Sequence, residues 1–148
     1  MPQSLANILI HAVWSVKERR PQIADSVRAG LHGYMAGTLK RIESPALIIN
    51  SVADHVHVFC QLSKNLAVCK LVEEVKKSSS KWMKEQGVLD FAWQNGYGVF
   101  SVSQSNVLAV RRYVQGQAEH HKKRDFRSEF RAFCKRHRVV IDERYVWD

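Results

Sequence analysis

Two groups of residues in this chain have types and spacings suited to chemistry on a phosphate. The first is His55-Val56-His57. On an extended strand, residues i and i+2 point the same way, so both imidazoles leave one sheet face while Val56 and Val58 leave the other. Two neutral imidazoles at that spacing can share one divalent cation. Taken alone, paired strand histidines are more often hydrogen-bonded surface residues, and a nucleotide hydrolase would want a third histidine where Phe59 stands. The second group is Tyr113 and Gln117, four residues apart and therefore on one helical face. His120 continues that face and His121 sits at its edge. The amide oxygen of Gln117 can ligate a hard cation such as Mg²⁺ or Mn²⁺. Taken alone, Tyr and Gln on an amphipathic helix serve packing and solvation.

The two groups gain meaning if the fold brings them together. A cation at the histidine pair would polarise a phosphodiester, and Tyr113 would attack the phosphorus in line. A tyrosine hydroxyl has an ordinary pKa of about 10, so it needs deprotonation or a nearby cation to act as a nucleophile. A covalent phosphotyrosine would conserve the energy of the broken bond and permit rejoining without ATP.

The elements that must position these residues follow from hydrophobic periodicity. Residues 6–16 alternate: Ile8, Ile10, Ala12, Trp14 and Val16 fall on one face, and Leu9, His11, Val13 and Ser15 on the other. Residues 23–42 have helical spacing, with Pro45 beyond the end. Residues 46–52 and 55–62 read as two strands joined at Ala53-Asp54. Helical spacing returns over residues 66–86, with Gly87 suited to the helix end. A fourth strand is expected over residues 96–102. A third helix is expected over residues 106–123 with Ser105 as its N-cap, followed by a shorter helix over residues 126–136. The order β-α-β-β-α-β plus further helices predicts an α+β, ferredoxin-like antiparallel sheet. Two helices would cover one face, and the other would lie open unless the C-terminal helices, the first carrying Tyr113, cover part of it.

The 148 residues fit one domain spanning 1–148. The net charge of +9 favours a polyanionic partner, because Lys and Arg that neutralise phosphates release counterions. Arg19, Arg20, Lys77, Lys81, Lys84, Arg111, Arg112, Lys122 and Lys123 are candidates for DNA contact, although each basic run alone suits a solvated face. Trp82, Trp93 and Tyr97 are candidates for base stacking, with Trp82 better placed for the core. Cys60, Cys69 and Cys134 fit no zinc spacing and read as buried reduced thiols. The chain shows neither a secretory leader nor an apolar run of membrane-spanning length, which suggests a cytoplasmic protein.

On these motifs the chain resembles the single-tyrosine HUH transposases of small bacterial insertion sequences of the IS200/IS605 kind, named for two histidines around one hydrophobic residue. His55-Val56-His57 carries the resemblance, together with the helix containing Tyr113-Val114-Gln115-Gly116-Gln117. His11-Ala12-Val13-Trp14-Ser15, Lys77-Ser78-Ser79-Ser80-Lys81-Trp82, Trp93-Gln94-Asn95-Gly96-Tyr97-Gly98 and the ending Asp142 to Asp148 add to it, so it spans nearly the whole chain. The resemblance implies that Tyr113 is the nucleophile and that His55, His57 and Gln117 hold Mg²⁺ or Mn²⁺. His120 and His121 divide evenly between supporting that site and plain surface positions. It also implies a homodimer, with the tyrosine acting within a subunit or across the dimer. The substrate would be single-stranded DNA with hairpins at the element ends, cut to a 5′-phosphotyrosine and a free 3′-OH. The nearest alternatives are a replication initiator or a domesticated HUH nickase at genomic repeats. A non-catalytic single-stranded nucleic-acid-binding module and a metal-dependent hydrolase are alternatives of other kinds.

Overall fold

The computed structural model describes residues 2–119 and 124–148. His120, His121, Lys122 and Lys123 lie outside the described residues. Four strands, β1 (Ile8–Ser15), β2 (Ala46–Ser51), β3 (His55–Leu62) and β4 (Gly98–Val102), form one antiparallel sheet in the order β2-β3-β1-β4. Helices α1 (Asp25–Arg41) and α2 (Val68–Glu85) follow β1 and β3, and α3 (Val107–Gln115) and α4 (Phe126–Arg136) follow β4. This is the expected α+β, ferredoxin-like arrangement. Strand β1 lies at the centre, pairing Ile8–Ser15 with Leu62–His55 on one side and Leu9–Val13 with Val102–Gly98 on the other.

The alternation of the strands divides the molecule into two layers. Ile10, Ala12, Trp14, Val56, Val58 and Cys60 enter a core with Leu31, Met35 and Leu39 of α1 and Leu71, Val72 and Val75 of α2. Each large apolar side chain buried there contributes about 1.5–3 kcal/mol relative to exposure. Trp93 belongs to this core and donates its indole N–H to Ser79 Oγ at 2.9 Å, so it is not free to stack on a base. Half-buried Trp82 packs on the same core and stacks on Tyr34. The opposite sheet face carries Leu9, His11, Val13, His55, His57, Phe59 and Phe100, covered by α3 and α4.

Several boundaries differ from the periodicity. Strand β4 begins at Gly98, where close approach rather than a turn selects glycine: an added Cβ would lie 2.7 Å from the Phe130 ring of α4. A short 3-10 turn, Gln104–Asn106, precedes α3, so Asn106 rather than Ser105 is the N-cap, and the Ser105 hydroxyl pairs with Ser103 instead. Helix α3 stops at Gln115 with Gly116 as its C-cap, and helical structure resumes over 117–119. Glycine carries roughly 1 kcal/mol of helix penalty relative to Ala, which the apolar spacing does not register. Among the cysteines, Cys60 and Cys134 are buried but Cys69 is exposed. Among the described residues, no helix is long and apolar enough to cross a membrane.

Candidate functional site

The hairpin between β2 and β3 sets His55 at the first position of its strand, and pairing with β1 turns both imidazoles toward α3 and α4. Each histidine has its Nδ1 engaged from behind. His55 Nδ1 meets Asp54 Oδ1 at 2.8 Å, and His57 Nδ1 meets Nε2 of His11 on the neighbouring strand at 2.7 Å. That leaves both Nε2 atoms directed into the same space, which is how a second layer of hydrogen bonds orients metal-binding imidazoles.

A carboxylate occupies the near side of that space. Glu129 Oε1 lies 2.7 Å from His57 Nε2 and 3.5 Å from His55 Nε2, with 2% of the residue exposed. It is delivered by α4, whose start is fixed by Asp125 accepting a hydrogen bond from the Ser128 N–H. From there Phe126, Glu129, Phe130, Phe133 and Cys134 form the buried stripe of the helix. Glu129 is the site residue that the sequence reading did not single out. Its signal was present: an acidic residue standing inside an otherwise apolar stripe. His11 is the second such residue, on the site-facing side of β1 between Leu9 and Val13.

The tyrosine helix brings the remaining pair. Gln117 is fully buried, and its Oε1 lies 3.2 Å from His55 Nε2. Tyr113 is half-buried, with ring centroids 5.8 Å from His57 and 5.3 Å from Phe133, and its hydroxyl interacts with Glu129 and Gln117. Asn50 of β2 holds the end of α3 by donating from Nδ2 to the Val114 and Gln115 carbonyls at 2.9 and 3.1 Å. His55, His57, Tyr113 and Gln117, separated by up to 62 positions in the chain, therefore meet in one place.

Electrostatics follow from burial and pairing. Burial works against a charged His55, but its bonds to Asp54 and Glu129 outweigh this and push its pKa up to about 9. Burial would raise the Glu129 pKa, yet His55 and His57 hold it well below the usual carboxylate range. Burial, then the charge of His57, lowers His11 to about 3, so His11 stays neutral and can accept from His57. Burial, then the charge of Glu129, pushes the Tyr113 phenol above its ordinary range. As it stands, this phenol does not ionise readily without help from a cation.

The donor set fits a divalent metal. One ligand atom from each of His55, His57 and Glu129 lies within 4.8 Å of the others, and all three residues are buried. Two imidazoles, a carboxylate and the Gln117 amide oxygen combine nitrogen and hard oxygen donors suited to a cation such as Mn²⁺ or Mg²⁺.

The basic residues are spread over the surface. Arg111 and Arg112 are exposed on the tyrosine helix itself. Arg20, beyond the end of β1, pairs with Glu18 at 3.0 Å and Asp90 at 3.8 Å, and Arg19 beside it is half-buried. Lys77, Lys81 and Lys84 are exposed on α2, in the layer on the other side of the sheet from His55 and His57. Arg124 lies close enough to Tyr113 to favour its ionised form.

Residues 4–117 match the family model described as IS200-like transposase. None of the curated proteins matches the chain. Among solved structures, a Deinococcus radiodurans protein classed as a transposase is 19% identical, with a TM-score of 0.61, covering 79% of this chain and 98% of that one. A REP-associated tyrosine transposase bound to a REP hairpin is 14% identical, with a TM-score of 0.58, covering 83% of this chain and 72% of that one. At these identities the structural likeness speaks for the shared fold, and the family match extends over most of the sequence. The chain belongs to the IS200-like transposase family.

Proposed function

We propose that this protein cuts and rejoins single-stranded DNA by transesterification, with Tyr113 as the nucleophile and His55, His57, Glu129 and Gln117 as the metal-binding set. The observation that carries the reading is the Tyr113 ring set 5.8 Å from His57, with Gln117 of the same helix on His55 and the buried Glu129 against both histidines. A divalent cation, Mg²⁺ or Mn²⁺, bound by these residues would polarise the scissile phosphate. The Tyr113 oxygen bonds to phosphorus while the bond to the 3′-oxygen breaks. The phenol gives up its proton to solvent and the departing 3′-oxygen takes one up, leaving a 5′-phosphotyrosine and a free 3′-OH. A 3′-OH attacking the phosphotyrosine reverses the step and rejoins DNA with no other energy source. Asp54 and His11 keep the imidazole Nε2 atoms directed inward, and Asn50 steadies the tyrosine helix. Arg111, Arg112 and Arg124 are close enough along the chain to Tyr113 to steer a DNA backbone toward it.

Hairpins at element ends are the proposed substrate; the REP hairpin held by a protein of the same fold supports this. Assembly as a homodimer is part of the proposal. Within it Tyr113 acts on the histidine pair of its own subunit or on that of its partner.

The test is a denaturing gel of purified protein mixed with labelled single-stranded oligonucleotides from the ends of its own element plus Mn²⁺. A covalent adduct is expected, absent in Tyr113→Phe and in EDTA. Binding without an adduct would favour a non-catalytic nucleic-acid module. Cleavage surviving in Tyr113→Phe would make a water molecule the nucleophile and overturn the role of Tyr113.

A further inference from the structure

Beside Tyr113, between α3 and α4, lies a cavity of about 350 Å³ that the chemistry above leaves unused. Its volume falls in the range of small-molecule sites, roughly 300–1,000 Å³. Its walls include the rings of Phe100, Phe133 and His137, with the Phe100 ring stacked on Phe133 at 5.5 Å and on His137 at 4.7 Å. Asn106 and Arg136 add polar groups to the lining, and Tyr113 forms part of it. Arg136 also lines a small notch with Tyr113, Arg124 and Glu129. A cavity with an aromatic wall therefore opens beside the tyrosine, with the guanidinium groups of Arg124 and Arg136 around the adjoining notch.

We propose that this cavity receives the nucleobase adjoining the phosphate attacked by Tyr113. The base stacks against the aromatic wall, and Arg124 and Arg136 offset the charge of the neighbouring backbone. Stacking on aromatic side chains accepts any base, so the cavity acts first as a register stop that sets which phosphate meets the tyrosine. Asn106 and Arg136 give it the means to prefer one base edge over another. The assignment rests on the reading of Tyr113 as the nucleophile.

Two readouts separate the cavity from that reading. In a Tyr113→Phe background, a short oligothymidine carrying a single 2-aminopurine reports stacking through loss of its fluorescence. Ala109→Leu fills the cavity from exposed α3, and His137→Ala removes an exposed ring from its wall. Both variants are expected to restore fluorescence and to weaken binding roughly tenfold, with thermal unfolding unchanged. Fluorescence and affinity identical to the parent in both variants would overturn the cavity as a base site. With Tyr113 intact and element-end oligonucleotides, removing the base next to the cleaved phosphate is expected to lower adduct yield roughly tenfold. Full yield from that abasic strand would overturn the proposal. No adduct from the intact strand would overturn the role of Tyr113 and, with it, the placement beside a scissile phosphate, whereas quenching alone would still identify a base site.

Discussion

Beneath α1 and α2 the sheet presents Ile10, Trp14, Val56 and Val58 to apolar neighbours. Beneath α3 and α4 the same strands present His11, His55 and His57, with Glu129 and Gln117 lowered onto them. Both layers are equally buried, and the residues alternate one by one along β1 and β3. The first layer is held by non-directional burial of apolar area, which tolerates changes that conserve volume. The second consists of buried polar groups that cost free energy unless each finds a partner. His57 illustrates the requirement, with Nδ1 on His11 and Nε2 on Glu129. One sheet thus carries stability on one side and a metal-binding arrangement on the other.

Substitutions can pull these two roles apart. The largest effect on stability is expected from Met35→Ala in the apolar layer, which should lower the unfolding free energy by about 2–5 kcal/mol. Denaturant unfolding checks this, and calorimetric Mn²⁺ titration of the folded protein should show unchanged affinity. A drop in affinity would mean the layers are coupled. Gly98→Ala tests the seating of α4, because its Cβ would meet the Phe130 ring at 2.7 Å. A loss of about 1–3 kcal/mol is expected, with weaker Mn²⁺ binding because α4 carries Glu129. His11→Ala should weaken Mn²⁺ binding about 10- to 100-fold by removing the partner that orients His57. Unchanged affinity in that titration would reduce His11 to packing.

The polar layer also carries a pH dependence. His55 has a folded pKa pushed up to about 9 from 6.5, so its contribution to stability is complete below pH 6.5 and is lost as pH rises toward 9. Mn²⁺ must displace the same proton. Its affinity is therefore expected to rise over that window, by up to about tenfold per pH unit. Titrations at several pH values check the slope, and a flat profile would show that metal binding displaces no proton from His55 in that window.

The contrast between layers also explains what the sequence made legible. Period-two alternation was enough to send His55 and His57 to one face and Val56 and Val58 to the other, and the order of elements was enough for the sheet. The i, i+4 spacing put Tyr113 and Gln117 together even though α3 ends at Gln115, because helical structure resumes over 117–119. Glu129 stayed hidden because its partners lie 72 and 74 positions earlier, and only the docking of α4 joins them. Periodicity marked it only as an acid inside the stripe of Phe126, Phe130 and Phe133. The charges of Lys77, Lys81 and Lys84 were readable from composition. That they lie in the layer away from the histidines is a matter of topology, which no local spacing encodes.

The origin of Glu129 on α4, after the tyrosine helix, has a consequence in time. Synthesis runs from the N-terminus, so a growing chain has made β1, β3 and the tyrosine helix before α4 emerges. Until then His55 and His57 lack their carboxylate, and His11, Phe100 and Tyr113 lack the cover of Phe130 and Phe133. A metal-binding set that includes Glu129 is therefore assembled only after α4 has followed the tyrosine helix out of the ribosome.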